Sequence, residues 1–259
     1  MWTAFIIIIL FFLAQVLGGI FAYSYANINM LCGEIPFNLA RLIPPSSIEI
    51  GIGTLVAETI LIVVLWMCHL TGPTPLRCYR KGMPRKWLLA IMGFVVLAFG
   101  INFLLTPLNL EDFDQTANFA EMKESWLCLI LLCFVGPMAE EFTFREGILR
   151  SLKKNGLNPW IAIFTSAFAF GIIHVDPMQV IPAIALGIAL GVLYHKTGDL
   201  RLCLIAHILN NTLAVLELEI PQIDDFLNMM SENYLFLLIA GGFFFVAGGT
   251  MMIFNYYKK

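Results

Sequence analysis

Eight mostly apolar stretches run along the chain, at 3–25, 48–70, 87–107, 126–149, 159–175, 178–195, 201–217 and 234–255. Each reaches the roughly 17 to 25 residues that a helix needs to cross a hydrocarbon core, and none alternates with the two-residue period of a membrane barrel strand. The pattern predicts an all-α polytopic membrane protein, a bundle of about eight transmembrane helices. Asn158-Pro159 and Asp176-Pro177 each set a capping side chain before a proline at the first helical position, and Gly198 with Asp199 makes a turn. The link from the fifth to the sixth stretch is then very short, so those helices are expected to be antiparallel neighbours. The first stretch lacks a basic leader and is too long for the apolar part of a cleaved signal, which predicts a retained helix.

Composition sharpens the class. Of 259 residues 59% are hydrophobic and 13% charged, and the mean hydropathy is +0.84, which excludes an ordinary soluble domain. Arg77, Arg80, Lys81, Arg85 and Lys86 crowd the connection after the second stretch with no acid among them, which marks that side as cytoplasmic. Arg150, Lys153, Lys154, Lys196, Arg201, Lys258 and Lys259 fall on the same side of an eight-span count, with both termini cytoplasmic. Glu111, Asp112, Asp114 and Glu121, and later Glu217, Glu219, Asp224, Asp225 and Glu232, fall on the other. The expected location is integral to a prokaryotic cytoplasmic membrane, with the lipid bilayer as solvent. The net charge of −3 comes from the acidic loops, and no basic face interleaved with aromatics suggests a nucleic-acid partner. Cys32, Cys68, Cys78, Cys128, Cys133 and Cys203 form no CxxC pair and read as packing residues. No repeat or linker divides the chain, so 1–259 reads as a single domain with its polar motifs in 126–217. Oligomeric state leaves no signature.

The polar residues inside the apolar stretches are Glu58, Asn102, Glu140, Glu141, Arg145, Glu146, His174, His207, Asn210 and Asn211. A carboxylate at mid-bilayer costs roughly 2.5 to 3.5 kcal/mol even on lenient scales, so adjacent acids there point to function. At 1.5 Å of rise per residue, Glu140, His174, His207 and Asn211 fall roughly 10 to 20 Å in from the cytoplasmic ends of their helices and converge near the midplane. They predict a polar intramembrane cavity. Residues four apart share a helix face, so Glu141 can pair with Arg145 and leave Glu140 free as a base, while Phe170 faces with His174 and His207 with Asn211. Gly136-Pro137 predicts a kink just before the acid pair. Glu58 lies about ten residues into its helix, as compatible with the outer interface as with the cavity, and is left out of the site.

Glu140-Glu141-x-x-x-Arg145, Phe170-x-x-x-His174 and His207-x-x-x-Asn211 resemble, in order, the three motifs of the CAAX protease and bacteriocin-processing family of glutamic intramembrane endopeptidases, which includes type II CAAX prenyl endopeptidases. The resemblance implies that Glu140 and His174 activate a water for attack on a peptide carbonyl. It gives His207 and Asn211 the oxyanion, Glu141, Arg145 and Phe170 supporting roles, no cofactor, and a peptide or membrane-protein substrate. The residues alone also allow zinc held by His174, His207 and a glutamate, although no HExxH spacing is present. A non-enzymatic bacteriocin-immunity or transport protein is the other alternative.

Overall fold

The computed structural model describes residues 2–33, 42–72, 84–108 and 115–255. Arg77, Cys78, Arg80 and Lys81 lie outside these residues, as do Glu111, Asp112, Asp114, Lys258 and Lys259. Eight apolar helices occupy the expected positions: α1 Trp2–Ala26, α2 Ser47–Met67, α3 Pro84–Leu105, α4 Trp126–Lys154, α5 Pro159–Ile172, α6 Pro177–Thr197, α7 Leu200–Glu217 and α8 Leu235–Asn255. Seven are long and apolar enough to cross a membrane; α5 is not.

Helix ends follow the local chemistry. Ser46 and Glu49 close a reciprocal capping box at the start of α2. Asn158 Oδ1 accepts from Trp160 N and Asp176 Oδ1 from Met178 N, each at 2.9 Å. Gly198 ends α6 with φ 64°, and Asp199 caps α7 through Arg201 N.

α4 is the axis of the molecule. Of its apolar window 56% is buried, against 28% for α1 and 22% for α8, whose outer faces are left for lipid. At Gly136-Pro137, where the sequence predicts a kink, the helix is irregular. Rather than breaking, α4 continues through wide π-helical turns at Leu131–Val135 and Phe142–Leu149, on either side of the α-helical Gly136–Glu141. Such turns re-route the backbone bonds that a proline interrupts.

A correction concerns α5. The expected span 159–175 stops as helix at Ile172, giving 14 residues and about 21 Å, short of a hydrocarbon core of about 30 Å. Residues 173–176 then turn tightly, with Val175 at φ 63°, and α6 returns against α5. Close approach is enforced at Gly187, where a Cβ would lie 3.0 Å from Phe170 Cδ1, and at Gly191, 3.0 Å from Ile163 Cγ2. His174 therefore sits in the hairpin turn and not on a helix face. The five described cysteines are free, with Cys128, Cys133 and Cys203 buried and Cys32 and Cys68 exposed.

Candidate active site

Glu140 lies about 21 Å from either end of α4, midway along the helix that threads the bundle. Glu141, the next residue, is fully buried. Its Oε1 is 3.1 Å from Arg145 Nη1, one turn along, and 2.9 Å from His207 Nδ1 on α7. Arg145 is 1% exposed, so this charge has been taken out of solvent altogether. It is held by Glu141, by the Gly187 carbonyl at 3.4 Å from Nη2, and by the Phe170 ring, whose centroid is 4.5 Å from Cζ. A desolvated guanidinium persists only with such partners, and the ring face adds a cation–π contact.

The same network aims His207. With Nδ1 engaged by Glu141, Nε2 is turned toward Glu140, 3.4 Å from its Oε2. Phe170 packs edge-on to both histidine rings, 5.1 Å from His174 and 5.8 Å from His207 between centroids. His174 Nδ1 is 3.0 Å from the Phe170 carbonyl, which leaves Nε2 for the cavity. The histidine touching Glu140 is thus His207, while His174 faces the same space from the α5–α6 turn.

Asn211 is placed by the irregularity in α4. In the π-helical turn Gly136 N–H bonds to the Leu131 carbonyl, five residues back. The next bond in that pattern would run from residue 137 to Leu132, and Pro137 has no N–H to make it. Asn211 Nδ2 donates to the Leu132 carbonyl at 3.1 Å instead. A side-chain donor completing the backbone of a proline-interrupted membrane helix satisfies a group that lipid cannot. Its amide nitrogen keeps a second hydrogen.

Glu140, His207 and Asn211 line a cavity of about 520 Å³ walled by α2, α3, α4, α6 and α7, together with Phe170 and His174. Glu58 lines it too, so the residue left aside in the sequence belongs here. The signal was present: Gly51, Glu58 and Leu65 recur every seven residues on the buried face of α2. Among the described residues no three His, Cys, Asp or Glu side chains gather in an arrangement that could hold a metal ion.

Residues 122–213, which contain all three motifs, match the family model described as type II CAAX prenyl endopeptidase, Rce1-like. The chain is also similar to "Putative membrane peptidase YdiL" of Bacillus subtilis (strain 168), 28% identical over 193 residues, covering 71% of this chain and 77% of that protein. No solved structure matches the chain. Glu58 and the whole of α1, α2, α3 and α8 lie outside the region that the family model matches.

Proposed function

We propose that the protein is an integral-membrane endopeptidase that hydrolyses a peptide bond with water activated by Glu140. The observation that carries this reading is the Glu140–His207 contact inside a membrane-depth cavity, with His207 fixed from behind by the buried Glu141–Arg145 pair. In this mechanism Glu140, assisted by His174 Nε2, takes a proton from water as the oxygen attacks the carbonyl carbon. Negative charge on the carbonyl oxygen is met by His207 Nε2–H and the second Asn211 amide hydrogen, preorganised donors in a low-dielectric site. In that role His207 carries hydrogen on both nitrogens, Nδ1 donating to Glu141. Collapse breaks the C–N bond, and the leaving amine takes the proton from Glu140. The atoms balance as one water added across one peptide bond. The reaction runs on side chains alone, without a cofactor, and a CAAX-type or membrane-peptide substrate fits the family match.

The test is cleavage of a farnesylated CAAX reporter and of non-prenylated membrane peptides by the purified protein, with and without a chelator. Cleavage lost in Glu140→Ala and His174→Ala and indifferent to chelator is the expected result. Chelator-sensitive cleavage with stoichiometric bound zinc would replace the glutamate mechanism by a metal-dependent one.

A further inference from the structure

Glu58 is 5% exposed on α2 and faces the cavity. Its Oε1 accepts a long hydrogen bond from Gln15 Nε2 at 3.4 Å, and its Oε2 is buried with no partner among the described residues. A carboxyl oxygen held out of solvent without a donor is costly, and a charged one more so. No lysine or arginine lines the space to relieve it: Glu58, Glu140 and Glu217 do, and of the two histidines there His207 is already taken up by Glu140 and Glu141. Glu140 is already engaged by His207, and Arg145 is committed to Glu141.

The position is as informative as the charge. Glu58 Oε2 lies 3.6 Å from where a Cβ on Gly136 would be, against the face of α4 that carries Glu140 one turn later. Four residues of helix rise about 6 Å. An extended peptide advances about 3.3 Å per residue, so that offset corresponds to about two residues of substrate.

We infer that Glu58 is a specificity residue of this cavity, accepting the lysine or arginine side chain of a peptide within two residues of the bond to be cut. This rests on the proteolytic reading above and names the substrate class it acts on. The open acceptor selects a cation as the acidic wall around it does, and it disfavours peptides that bring a carboxylate to the same place. Because Glu58 is outside the family-matched region, the preference belongs to this chain's own α2 and not to the shared motifs.

The experiment uses the full chain in proteoliposomes and a leucine-rich single-span peptide carrying lysine, norleucine or glutamate two residues from the cleaved bond. The readout is the ratio of kcat/KM for lysine over norleucine within each variant, which cancels any general loss of activity. A ratio of about tenfold is expected for the wild type, the size of one modest charge pair. It falls to about one in Glu58→Gln, recovers in part in Glu58→Asp, and reverses in favour of the glutamate peptide in Glu58→Lys. A ratio that is the same in wild type and Glu58→Gln overturns the inference while Glu140-dependent cleavage leaves the protease reading standing. If Glu140→Ala still cuts, the glutamate mechanism fails by itself; if the wild type cuts none of the peptides, the protease reading does. Equilibrium binding of the same fluorescent peptides then decides Glu58 separately: tighter lysine-peptide binding lost in Glu58→Gln supports the role, and equal binding overturns it.

Discussion

The α3–α8 pair and the α4–α7 core solve the problem of packing helices in lipid in opposite ways. α3 meets α8 through Gly93 and Gly100 facing Gly242 and Gly249. A Cβ on Gly100 would fall 2.6 Å from Val246 N, and one on Gly249 2.6 Å from Leu97 N. Phe103 and Phe245 add a ring contact at 5.5 Å. Small residues let the backbones touch, so dispersion replaces the hydrophobic drive that lipid removes. The core instead holds Glu141, Arg145 and His207 in one network, with Glu146 bonded to Tyr194 Oη at 2.8 Å and to Gly72 N at 3.1 Å. A glycine seam fixes distance alone, whereas a satisfied polar network fixes direction as well, and hydrolysis needs directed groups.

If that division holds, the largest effects come from the core. Glu140→Gln is expected to lower kcat about 10³-fold, the usual size of losing a general base, with the thermal unfolding midpoint in detergent scarcely changed. Arg145→Ala should do the reverse of a clean catalytic lesion. It strands the Glu141 carboxylate in the interior and is expected to cost about 3 to 5 kcal/mol of stability, read by denaturant unfolding, with activity falling as the folded fraction falls. A stable and well-folded Arg145→Ala would show that the buried pair does not organise the core.

Much of this core was legible because charge inside an apolar stretch is conspicuous and helical spacing says which charges share a face. Glu141–Arg145 follows from that rule, and so does the facing of His207 with Asn211. The facing of Phe170 with His174 follows too, with the rings 5.1 Å apart, but its setting in a turn does not, because Asp176-Pro177 announced the next helix but not how early the previous one ended. Pro137 signalled an irregularity without revealing that the helix would widen and leave the Leu132 carbonyl to Asn211. Glu58 was missed because the spacing of Gly51, Glu58 and Leu65 gives it a helix face, while an acid on a helix of uncertain start has no readable depth. The α3–α8 seam is hardest to read: glycines seven apart mark a close-packing face, but nothing in the sequence says which helix fills it.

The Pro137–Asn211 link gives a smaller effect that separates direction from distance. Pro137→Ala restores an N–H able to reach the Leu132 carbonyl, so helix and asparagine compete for one acceptor. We expect kcat to fall about tenfold with KM little altered, a loss confined to the transition state. Combining Pro137→Ala with Asn211→Ala should then cost no more than Asn211→Ala alone, since both act through the same donor. Additive losses would mean that Pro137 acts elsewhere.

The seam itself should be the mildest for chemistry and the clearest test of the division. Gly100→Leu overfills the α3–α8 contact, where the nearest neighbours are backbone atoms that cannot rotate away. Overpacking of this kind costs about 1 to 3 kcal/mol and should lower the unfolding midpoint in detergent. Activity per folded molecule should stay within about twofold, because the polar network that aims His207 and Asn211 makes no use of α8. A catalytic loss out of proportion to the loss of stability would show that the glycine seam sets the width of the cavity through α3, which carries Asn102 and Phe94 along its wall. Distance and direction would then be coupled, and the flank would be part of the enzyme's specificity and not merely its frame.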